Sequence, residues 1–327
     1  MRNFIGNDSG GQKVRRWAQL IVALPLVLCG MNNAIAANVP LKDDDPTADK
    51  LLLHQARQDE TLMDIARQYD VGYTELAAAN PGVDAWVPGK DRYIRIPRYY
   101  VMPEVRRQGI VINLAQQRLY YFHEAGKVET FPIGIGETGH DTPLGTTKVT
   151  RKVVDPVWTP MASIRKRDPS LPARVPPGPD NPLGAFAMGL GWPEYLIHGT
   201  NVPDSVGHDL SNGCIRLYPE DIAHLFGIVP VGTPVRVVRQ DVVGAWVGSR
   251  LVIEVFPSQS QAAEIGLSGK FTPAPPKDLV ARVKAMTKGR NAMIDWDAVK
   301  RAGQARDGLP TWVGTANEPQ VAANPSP

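Results

Sequence analysis

Cysteine is scarce in this chain of 327 residues, which contains only Cys29 and Cys214. No C-x-x-C pair is present, so the sequence disfavours a dithiol redox protein. Long apolar runs are also scarce. The run Leu20–Leu28 is short for a membrane span and contains Pro25, and no later segment is long and apolar enough to cross a bilayer. We find no phosphate-binding loop and no dinucleotide-binding fingerprint.

The first 36 residues have the pattern of a secretory signal peptide. Lys13, Arg15 and Arg16 precede the apolar run, and Ala34-Ile35-Ala36 supplies the small residues of an A-x-A cleavage site. We therefore expect cleavage after Ala36 and an exported mature chain without a transmembrane segment. The sequence leaves the export route, Sec or Tat, open.

Cleavage would change both the charge and the thiol content. The removed segment carries four basic residues and Asp8, a net charge of +3 that equals the net charge of the whole chain. The mature chain is then close to neutral, which gives no argument for nucleic-acid binding. Cys214 remains as a single thiol that cannot form an internal disulfide. Composition alone leaves two interpretations open, an inert buried thiol and a nucleophile.

A compact unit is predicted over residues 51–98. Apolar residues with helical spacing indicate its first helix, namely Leu62, Ile65, Ala66 and Tyr69. Asp59 or Thr61 is the predicted N-cap, and Gly72 the predicted end. A second helix is predicted over Tyr73–Asn80. Two strands flank the helices, Leu51–Ala56 and Tyr93–Ile96. The predicted order is β-α-α-β.

This unit resembles the LysM module. The resemblance rests on the stretch DETLMDIARQYDVGYTELAAANPG and on the ending PGKDRYIRIP. LysM modules bind glycans that contain N-acetylglucosamine, so the resemblance implies peptidoglycan as the ligand of an exported bacterial protein. A role as a spacer or packing partner remains open for the same unit.

From Gly109 to Val238 the pattern is that of short strands separated by glycine and proline. Residues 155–183 interrupt it, because they hold eight prolines and several interspersed arginines and lysines. Such a segment cannot pair within a central sheet, and we predict a long surface loop. A lid over a functional site and an insertion without a role are both open.

The remaining segments are predicted from composition. Residues 37–50 are polar and predict a linker. Residues 240–316 predict an extension with one apolar strand, Leu251–Phe256, and helical stretches within Asp278–Ala302. Residues 317–327 are polar and rich in Pro, Ala and Asn, which predicts a disordered tail.

The segment Ile197–Leu217, IHGTNVPDSVGHDLSNGCIRL, contains the groups that thiol catalysis requires. A thiol becomes a good nucleophile when a nearby imidazole takes its proton. His198 follows an apolar run, which predicts that it ends a buried strand, sixteen residues before Cys214. Asn212-Gly213 permits a tight turn whose backbone N–H groups converge. His208 lies in the intervening loop, and a zinc site from His198, His208 and Cys214 matches no known ligand spacing.

The combination of IHGT and SNGCIRL resembles the YkuD-type L,D-transpeptidases. Their pattern is a His-Gly pair, a loop of fourteen or more residues and a Ser/Thr-x-Gly-Cys turn. The resemblance extends over residues 105–239 and includes GETGHDTPLGTTKV and NPLGAF. It implies that Cys214 is the nucleophile, that His198 is the general base and that the Gly199 carbonyl orients the imidazole.

The same resemblance assigns the surrounding groups. The backbone N–H groups of Asn212, Gly213 and Cys214 would form the oxyanion hole. Arg216 would order the site or hold a substrate carboxylate, with a purely structural ion pair as the alternative. Ser211 is expected to be a turn residue beside this hole. Many family members have histidine where this chain has Asn212. The asparagine excludes a second imidazole at this position, although its side chain can still donate a hydrogen bond.

The implied fold is mainly β: a β-sandwich-like catalytic domain, a small βααβ LysM-like domain and a partly helical C-terminal extension. The implied reaction is attack on a peptidoglycan tetrapeptide stem, release of D-alanine and transfer of the acyl group from the thioester to an amine. The acceptor is a second stem, giving a 3-3 cross-link, or a lysine of an outer-membrane lipoprotein, while water would give a carboxypeptidase or another hydrolase. We expect a periplasmic location and no cofactor or metal. A non-catalytic peptidoglycan-binding protein is the rival interpretation.

Overall fold

The computed structural model describes residues 37–38, for which the backbone alone is given, and residues 52–123 and 126–316. The predicted signal peptide, most of the predicted linker and the predicted tail lie outside the described residues. The elements follow one another along the chain as β1 (Ala37–Asn38), β2 (Leu52–Gln55), α1 (Leu62–Gln68), α2 (Tyr73–Ala79), β3 (Tyr93–Ile96), β4 (Gly109–Asn113), β5 (Arg118–Phe122), β6 (Val128–Pro132), β7 (Ile135–Gly136), β8 (Gly145–Val154), α3 (Ala162–Arg167), β9 (Phe186–Leu190), β10 (Leu196–His198), β11 (Asp209–Ser211), β12 (Ile215–Arg216), α4 (Pro219–Ile228), β13 (Pro234–Val238), β14 (Val242–Val247), β15 (Arg250–Val255), α5 (Gln259–Ser268), α6 (Leu279–Met286), β16 (Ala292–Ile294), α7 (Trp296–Ala305) and β17 (Thr311–Ala316).

A central sheet dominates the structure. Its strands follow the spatial order β1-β6-β5-β4-β13-β8-β9-β10-β12, with antiparallel neighbours except at β4–β13 and β10–β12. Alternating apolar residues of these strands form the main core, which helix α4 joins through Ile222 and Leu225. Helix α4 begins at Pro219, where a missing N–H costs no intrahelical hydrogen bond. The prediction of a mainly β protein is confirmed.

The N-terminal unit, residues 52–96, has its own apolar cluster and the element order β2-α1-α2-β3. Thr61 caps α1 reciprocally with Asp64: Thr61 Oγ1 accepts from the Asp64 N–H at 3.1 Å, and Asp64 Oδ2 accepts from the Thr61 N–H at 2.9 Å. The predicted role of Gly72 was wrong. Helix α1 ends at Gln68, and Gly72 is instead the N-cap of α2.

A buried ion pair joins the N-terminal unit to the central sheet. Arg118 of β5 is fully buried, and its Nη2 donates to Glu75 of α2 at 3.1 Å and to the Asp70 carbonyl at 3.0 Å. Its guanidinium also lies 3.8 Å from the centre of the Tyr100 ring. Both charges are removed from water, so each needs the other as its partner. Separation of the two units at this point would leave an uncompensated charge in the interior.

The proline-rich segment 155–183 is more ordered than its composition predicts. It contains helix α3 and an antiparallel bridge between Trp158 and Val175. The buried Asn181 closes its base by donating to the carbonyls of Pro156 at 2.7 Å and Pro176 at 3.0 Å. Side-chain hydrogen bonds thus replace the sheet pairing that proline prevents.

The C-terminal extension, residues 240–316, contains more strand than predicted. Strands β14, β15, β17 and β16 form a separate antiparallel sheet against which α6 and α7 pack. Helix α5 lies elsewhere, because its Ile265 belongs to the apolar cluster of the N-terminal unit. Within the described ranges, no helix has the length and apolarity needed to cross a membrane.

The Arg118–Glu75 pair yields a stability prediction. We expect Arg118→Met to lower the free energy of unfolding by about 3–5 kcal/mol, because it leaves a buried carboxylate without its partner. Adding Glu75→Gln should recover part of that loss. Urea unfolding followed by circular dichroism measures both effects.

The exposed pair Arg301–Asp295, with nitrogen and oxygen 3.8 Å apart, is the control. Arg301→Gln should change the stability by less than about 1 kcal/mol. A loss in Arg118→Met no larger than that of the control would show that the buried pair does not anchor the unit.

Candidate active site

Two neighbouring parallel strands carry the main site residues. Strand β10 pairs with β12 so that Ile197 lies opposite Ile215 and His198 opposite Arg216. Side chains alternate between faces along a strand, so His198 and Arg216 point to the same side of the sheet. Cys214 directly precedes β12. The predicted strand end at His198 is confirmed.

The turn before Cys214 is shaped by Ser211 and Gly213. Ser211 Oγ accepts from the Gly213 N–H at 3.1 Å and donates to the Cys214 carbonyl at 2.6 Å. Gly213 has φ 98°, and a Cβ at this position would stand 2.6 Å from Cε1 of Tyr195. Glycine is therefore required here both for the backbone conformation and for the space.

Strand β7 and the loop that follows it contact this turn. Thr142 Oγ1 donates to the Gly213 carbonyl at 2.9 Å and accepts from the Gly136 N–H at 3.2 Å. A Cβ on Gly136 would stand 2.9 Å from Cα of Gly213. The GETGHDT stretch thus fixes the position of the turn through Thr142, and the absence of a side chain at Gly136 allows the two backbones to approach each other.

Backbone carbonyls fix the His198 imidazole. Nδ1 lies 2.6 Å from the Gly199 carbonyl oxygen, and Leu183 provides a second backbone acceptor. A carbonyl partner requires the proton on Nδ1, which leaves Nε2 as the acceptor. Burial, together with the Arg216 charge, lowers the pKa of His198 to about 4. The imidazole is consequently neutral at physiological pH.

The NPLGAF stretch holds the backbone beside His198 in place. Gly184 has φ 66°, and a Cβ there would stand 2.9 Å from the Thr200 nitrogen. A Cβ on Gly199 would stand 3.0 Å from the Ile222 side chain. The close approach of these segments brings the Leu183 carbonyl to the imidazole.

The Cys214 thiol is partly buried. Its Sγ donates to the Glu194 carbonyl at 3.6 Å, and Glu194 has a φ of 69°, which is rare for a residue with a side chain. Burial raises the pKa of Cys214, while a hydrogen bond with the Leu196 backbone and the Arg216 charge oppose the rise. The thiol and the imidazole are thus both neutral before reaction, which suits general-base catalysis rather than a resting ion pair.

Arg216 supplies the positive charge of the site. Its backbone is fixed by two hydrogen bonds of 2.9 Å with Gly134, one from each N–H. In the described part of the chain, no carboxylate lies within ion-pair distance of its guanidinium. At longer range it interacts with Glu137, Cys214 and the His198 imidazole. The guanidinium therefore has capacity for an external anion.

Helix α3 brings a second arginine to the site. Arg167 donates to Oδ1 of Asn212 and also contacts the His140 ring. His140 Nδ1 in turn lies 3.1 Å from Glu137 Oε1. Arg167 was not among the predicted site residues, and its only signal in the sequence is the basic run 165–167. Only the folded path of the segment selects Arg167 from that run.

The structure thus brings the side chains or backbones of the predicted residues to one place: Ser211, Asn212, Gly213, Cys214, Arg216, His198 and Gly199. Gly213 differs from expectation in one respect, because its N–H is already bonded to Ser211 Oγ. Within the described ranges, no acceptor binds the N–H of Asn212 or Cys214. His208 lies apart from this group and stacks on Tyr73, with ring centres 4.3 Å apart. The described residues contain no cluster of three or more His, Cys, Asp or Glu side chains arranged to hold a metal ion.

Residues 107–237 match the YkuD family model, the L,D-transpeptidase catalytic domain. The Escherichia coli protein named "Probable L,D-transpeptidase ErfK/SrfK" is 38% identical over 266 residues, which are 79% of this chain and 84% of that protein. The chain belongs to the L,D-transpeptidase family. The E. coli protein named "Probable L,D-transpeptidase YbiS" is 45% identical over 183 residues, 54% of this chain and 60% of that protein.

The L,D-transpeptidases are a family of enzymes. At the level of the family, their function is the cross-linking of peptidoglycan or the attachment of lipoprotein to it. The 266 aligned residues of the first relative exceed the range of the family model. The similarity therefore extends beyond the L,D-transpeptidase domain into its flanking segments.

The charge environment of Cys214 generates a titration prediction. Alkylation by iodoacetamide requires the thiolate, so its midpoint should lie above that of cysteine in the unfolded chain. Arg216→Gln removes a positive charge that favours the thiolate and should move the midpoint to still higher pH. Mass-spectrometric mapping of the Cys214 peptide measures alkylation at this position alone.

Arg236→Gln on the exposed side of β13 serves as the matched control, and it should leave the midpoint unchanged. An equal midpoint for Arg216→Gln and the control would show that Arg216 does not act on the sulfur.

Proposed function

We propose that this protein is a cysteine L,D-transpeptidase of the periplasm that acts on the tetrapeptide stems of peptidoglycan. Cys214 Sγ attacks the carbonyl carbon of the bond between the third residue and the terminal D-alanine, and Nε2 of His198 accepts the thiol proton. The tetrahedral intermediate collapses, the C–N bond breaks, and His198 returns the proton to the nitrogen of the leaving D-alanine. A thioester on Cys214 remains.

An amine then resolves the thioester. Its nitrogen attacks the thioester carbonyl, His198 accepts the amine proton, and the C–S bond breaks to release the thiol. The product is a 3-3 cross-link when the amine belongs to a second stem and an attached protein when it is a lipoprotein lysine. Water in the same position would give hydrolysis.

The observation that carries the proposal is the in-register pairing of β10 with β12. It sets His198 on the face shared by Arg216 and beside the residue that precedes β12, Cys214. The 2.6 Å contact between Nδ1 and the Gly199 carbonyl supports the assignment of Nε2 as the proton acceptor.

The proposed oxyanion hole consists of the N–H groups of Asn212 and Cys214. Both belong to the tight turn at Gly213, and neither N–H meets an acceptor in the described structure. The third expected donor, the Gly213 N–H, serves the turn by binding Ser211. The two remaining N–H groups would supply the minimum number of donors that such a site requires.

Two arginines are proposed to select anionic substrates. The stem peptide ends in the carboxylate of D-alanine, and Arg216 has no carboxylate partner among the described residues. Arg167 reaches the same turn by donating to Oδ1 of Asn212. The segment 155–183 that carries Arg167 would also shield the thioester from water, which favours transfer over hydrolysis.

The flanking segments are proposed to direct this chemistry to the cell wall. The N-terminal 36 residues would export the protein, and the LysM-like N-terminal unit would bind the glycan. The element order β2-α1-α2-β3 and the extent of similarity to the first relative support a conserved role for that unit.

Thioester formation is the direct test. Incubation of the wild-type protein with a disaccharide tetrapeptide should give a covalent adduct on Cys214, detected by mass spectrometry, together with free D-alanine. Cys214→Ala should give neither product, and His198→Gln should slow adduct formation at least about a hundredfold.

His224→Gln is the matched histidine control, since His224 lies on α4 and contacts Glu129. An adduct that persists in Cys214→Ala would refute the assignment of the nucleophile. Binding to sacculi without any adduct or change in cross-linking would favour the non-catalytic alternative.

The carboxylate role of Arg216 can be tested with matched substrates. For the wild type, amidation of the C-terminal carboxylate should lower kcat/KM by about tenfold or more, since a charge-assisted hydrogen bond is lost. Arg216→Gln should lower kcat/KM for the acid and show little further loss for the amide. An undiminished preference for the acid in the variant would assign carboxylate binding to another group.

A further inference from the structure

A cavity of about 440 Å³ lies away from the catalytic turn. Three parts of the chain line it: the N-terminal unit, the loop between β10 and β11, and the end of α5 with the residues that follow. Its size falls within the range of about 300–1,000 Å³ typical of small-ligand sites. Neither His198 nor Cys214 lines it.

We infer that this cavity is a composite saccharide site, built jointly by the N-terminal unit, the β10–β11 loop and α5, that holds the glycan of the strand whose stem reaches Cys214. The inference rests on the proposed peptidoglycan substrate. It assigns the glycan contact to specific residues and makes the C-terminal extension part of the binding surface.

Exposed apolar side chains from two parts of the chain border the cavity. Trp86 of the N-terminal unit is 70% exposed, and Leu267 of α5 is 89% exposed. Asp84 fixes the Trp86 backbone, because its Oδ1 accepts from the N–H groups of Trp86 at 2.8 Å and Val87 at 2.9 Å. An exposed indole on a fixed backbone offers a flat apolar surface to the C–H face of a sugar ring.

The polar lining suits a ligand without strong charge. Asp84 and Asp204 contribute two carboxylates and Lys270 one ammonium group. Burial lowers the pKa of His208 to about 4, so its ring is neutral at physiological pH. Two carboxylates against one ammonium disfavour an anion, and hydrogen-bonding side chains between apolar walls match the hydroxyl and amide groups of a neutral sugar.

The three walls are held together by packed contacts. The His208 ring stacks on Tyr73 at 4.3 Å and 6°, and a Cβ on Gly266 of α5 would stand 3.5 Å from His208 Nδ1. Thr74 Oγ1 donates to the Gly207 carbonyl at 2.5 Å. Gly207 meets Gly72 so closely that a Cβ on Gly72 would stand 3.0 Å from Cα of Gly207. The cavity is therefore preformed by the fold.

The path of the chain connects this cavity to the catalytic turn. His208 lines the cavity, and Cys214 follows six residues later through β11. Six residues of fully extended chain span at most about 20 Å, so the Cα atoms of His208 and Cys214 are no farther apart than that. The first three residues of an extended stem cover about 10 Å by the same measure, before the sugar itself is counted. A glycan in the cavity and a stem at Cys214 can therefore belong to one substrate.

The test uses the complete protein and the tetrasaccharide of β-1,4-linked N-acetylglucosamine as a peptide-free probe. We expect titration calorimetry to detect binding, and Trp86→Ala and Leu267→Ala each to raise Kd by about tenfold or more. Lys270→Gln should also weaken binding. All three side chains are surface groups whose replacement leaves the buried clusters intact.

The matched controls lie outside the cavity. Tyr93→Ala removes an aromatic ring that is 64% exposed on the same unit, and Val231→Ala removes an apolar group that is 57% exposed. Both should leave Kd unchanged. Thioester formation with a sugar-free tetrapeptide should be equal in the wild type and in all five variants, while the rate with a disaccharide tetrapeptide falls in the three cavity variants alone.

Each outcome separates the two proposals. If Trp86→Ala weakens binding and neither Leu267→Ala nor Lys270→Gln does, the N-terminal unit binds alone and the composite site is refuted. If the wild type forms the thioester and does not bind the tetrasaccharide, the inference fails and the proposed catalysis stands. If the tetrasaccharide binds as expected and no thioester forms, the site stands and the proposed catalysis fails.

Discussion

The parallel pairing of β10 with β12 is the interaction on which the candidate active site depends. It joins segments that are sixteen residues apart and places His198 opposite Arg216, with Cys214 directly before β12. A shift of one residue in this register would move His198 to the other face of the sheet. The buried apolar residues at positions 197 and 215 oppose such a shift, since it would expose them. Core packing thus fixes the relative position of the proposed catalytic groups.

Burial then determines the chemical state of those groups. Desolvation disfavours the charged forms of both the imidazole and the thiol. The Arg216 charge lowers both pKa values, which favours the neutral form of the imidazole and the charged form of the thiol. The result is a pair of neutral groups, between which the proton would move during the proposed reaction. The same burial removes the site from bulk water. Backbone N–H groups stabilise a developing oxyanion more effectively in such an environment than in water. Arg216 therefore has two effects in the proposed mechanism: its charge favours the thiolate of Cys214, and its guanidinium would bind the substrate carboxylate.

The N-terminal unit is integrated with the rest of the fold rather than tethered by a flexible segment. Arg118 and Glu75 form a buried pair, and exposed contacts such as Arg67 with Glu220, at 2.9 and 3.0 Å, add orientation at low energetic gain. Helix α5 completes the arrangement by placing Ile265 in the apolar cluster of that unit. A wall-binding surface fixed in this way would present the stem to the catalytic turn at a defined distance, which reduces the entropy lost on reaction.

The sequence by itself determined the mainly β class, the helical periodicity of α1 and α2, the strand end at His198 and the tight turn at Gly213. These features depend on local spacing and on side-chain chemistry, which the sequence displays directly. Only the tertiary structure decided which basic residue of the run 165–167 reaches Asn212, that Gly213 gives its N–H to Ser211, and that α5 packs on the N-terminal unit. Each of these contacts joins segments or lone pairs whose pairing depends on the path of the whole chain, and local propensity carries no information about such a path.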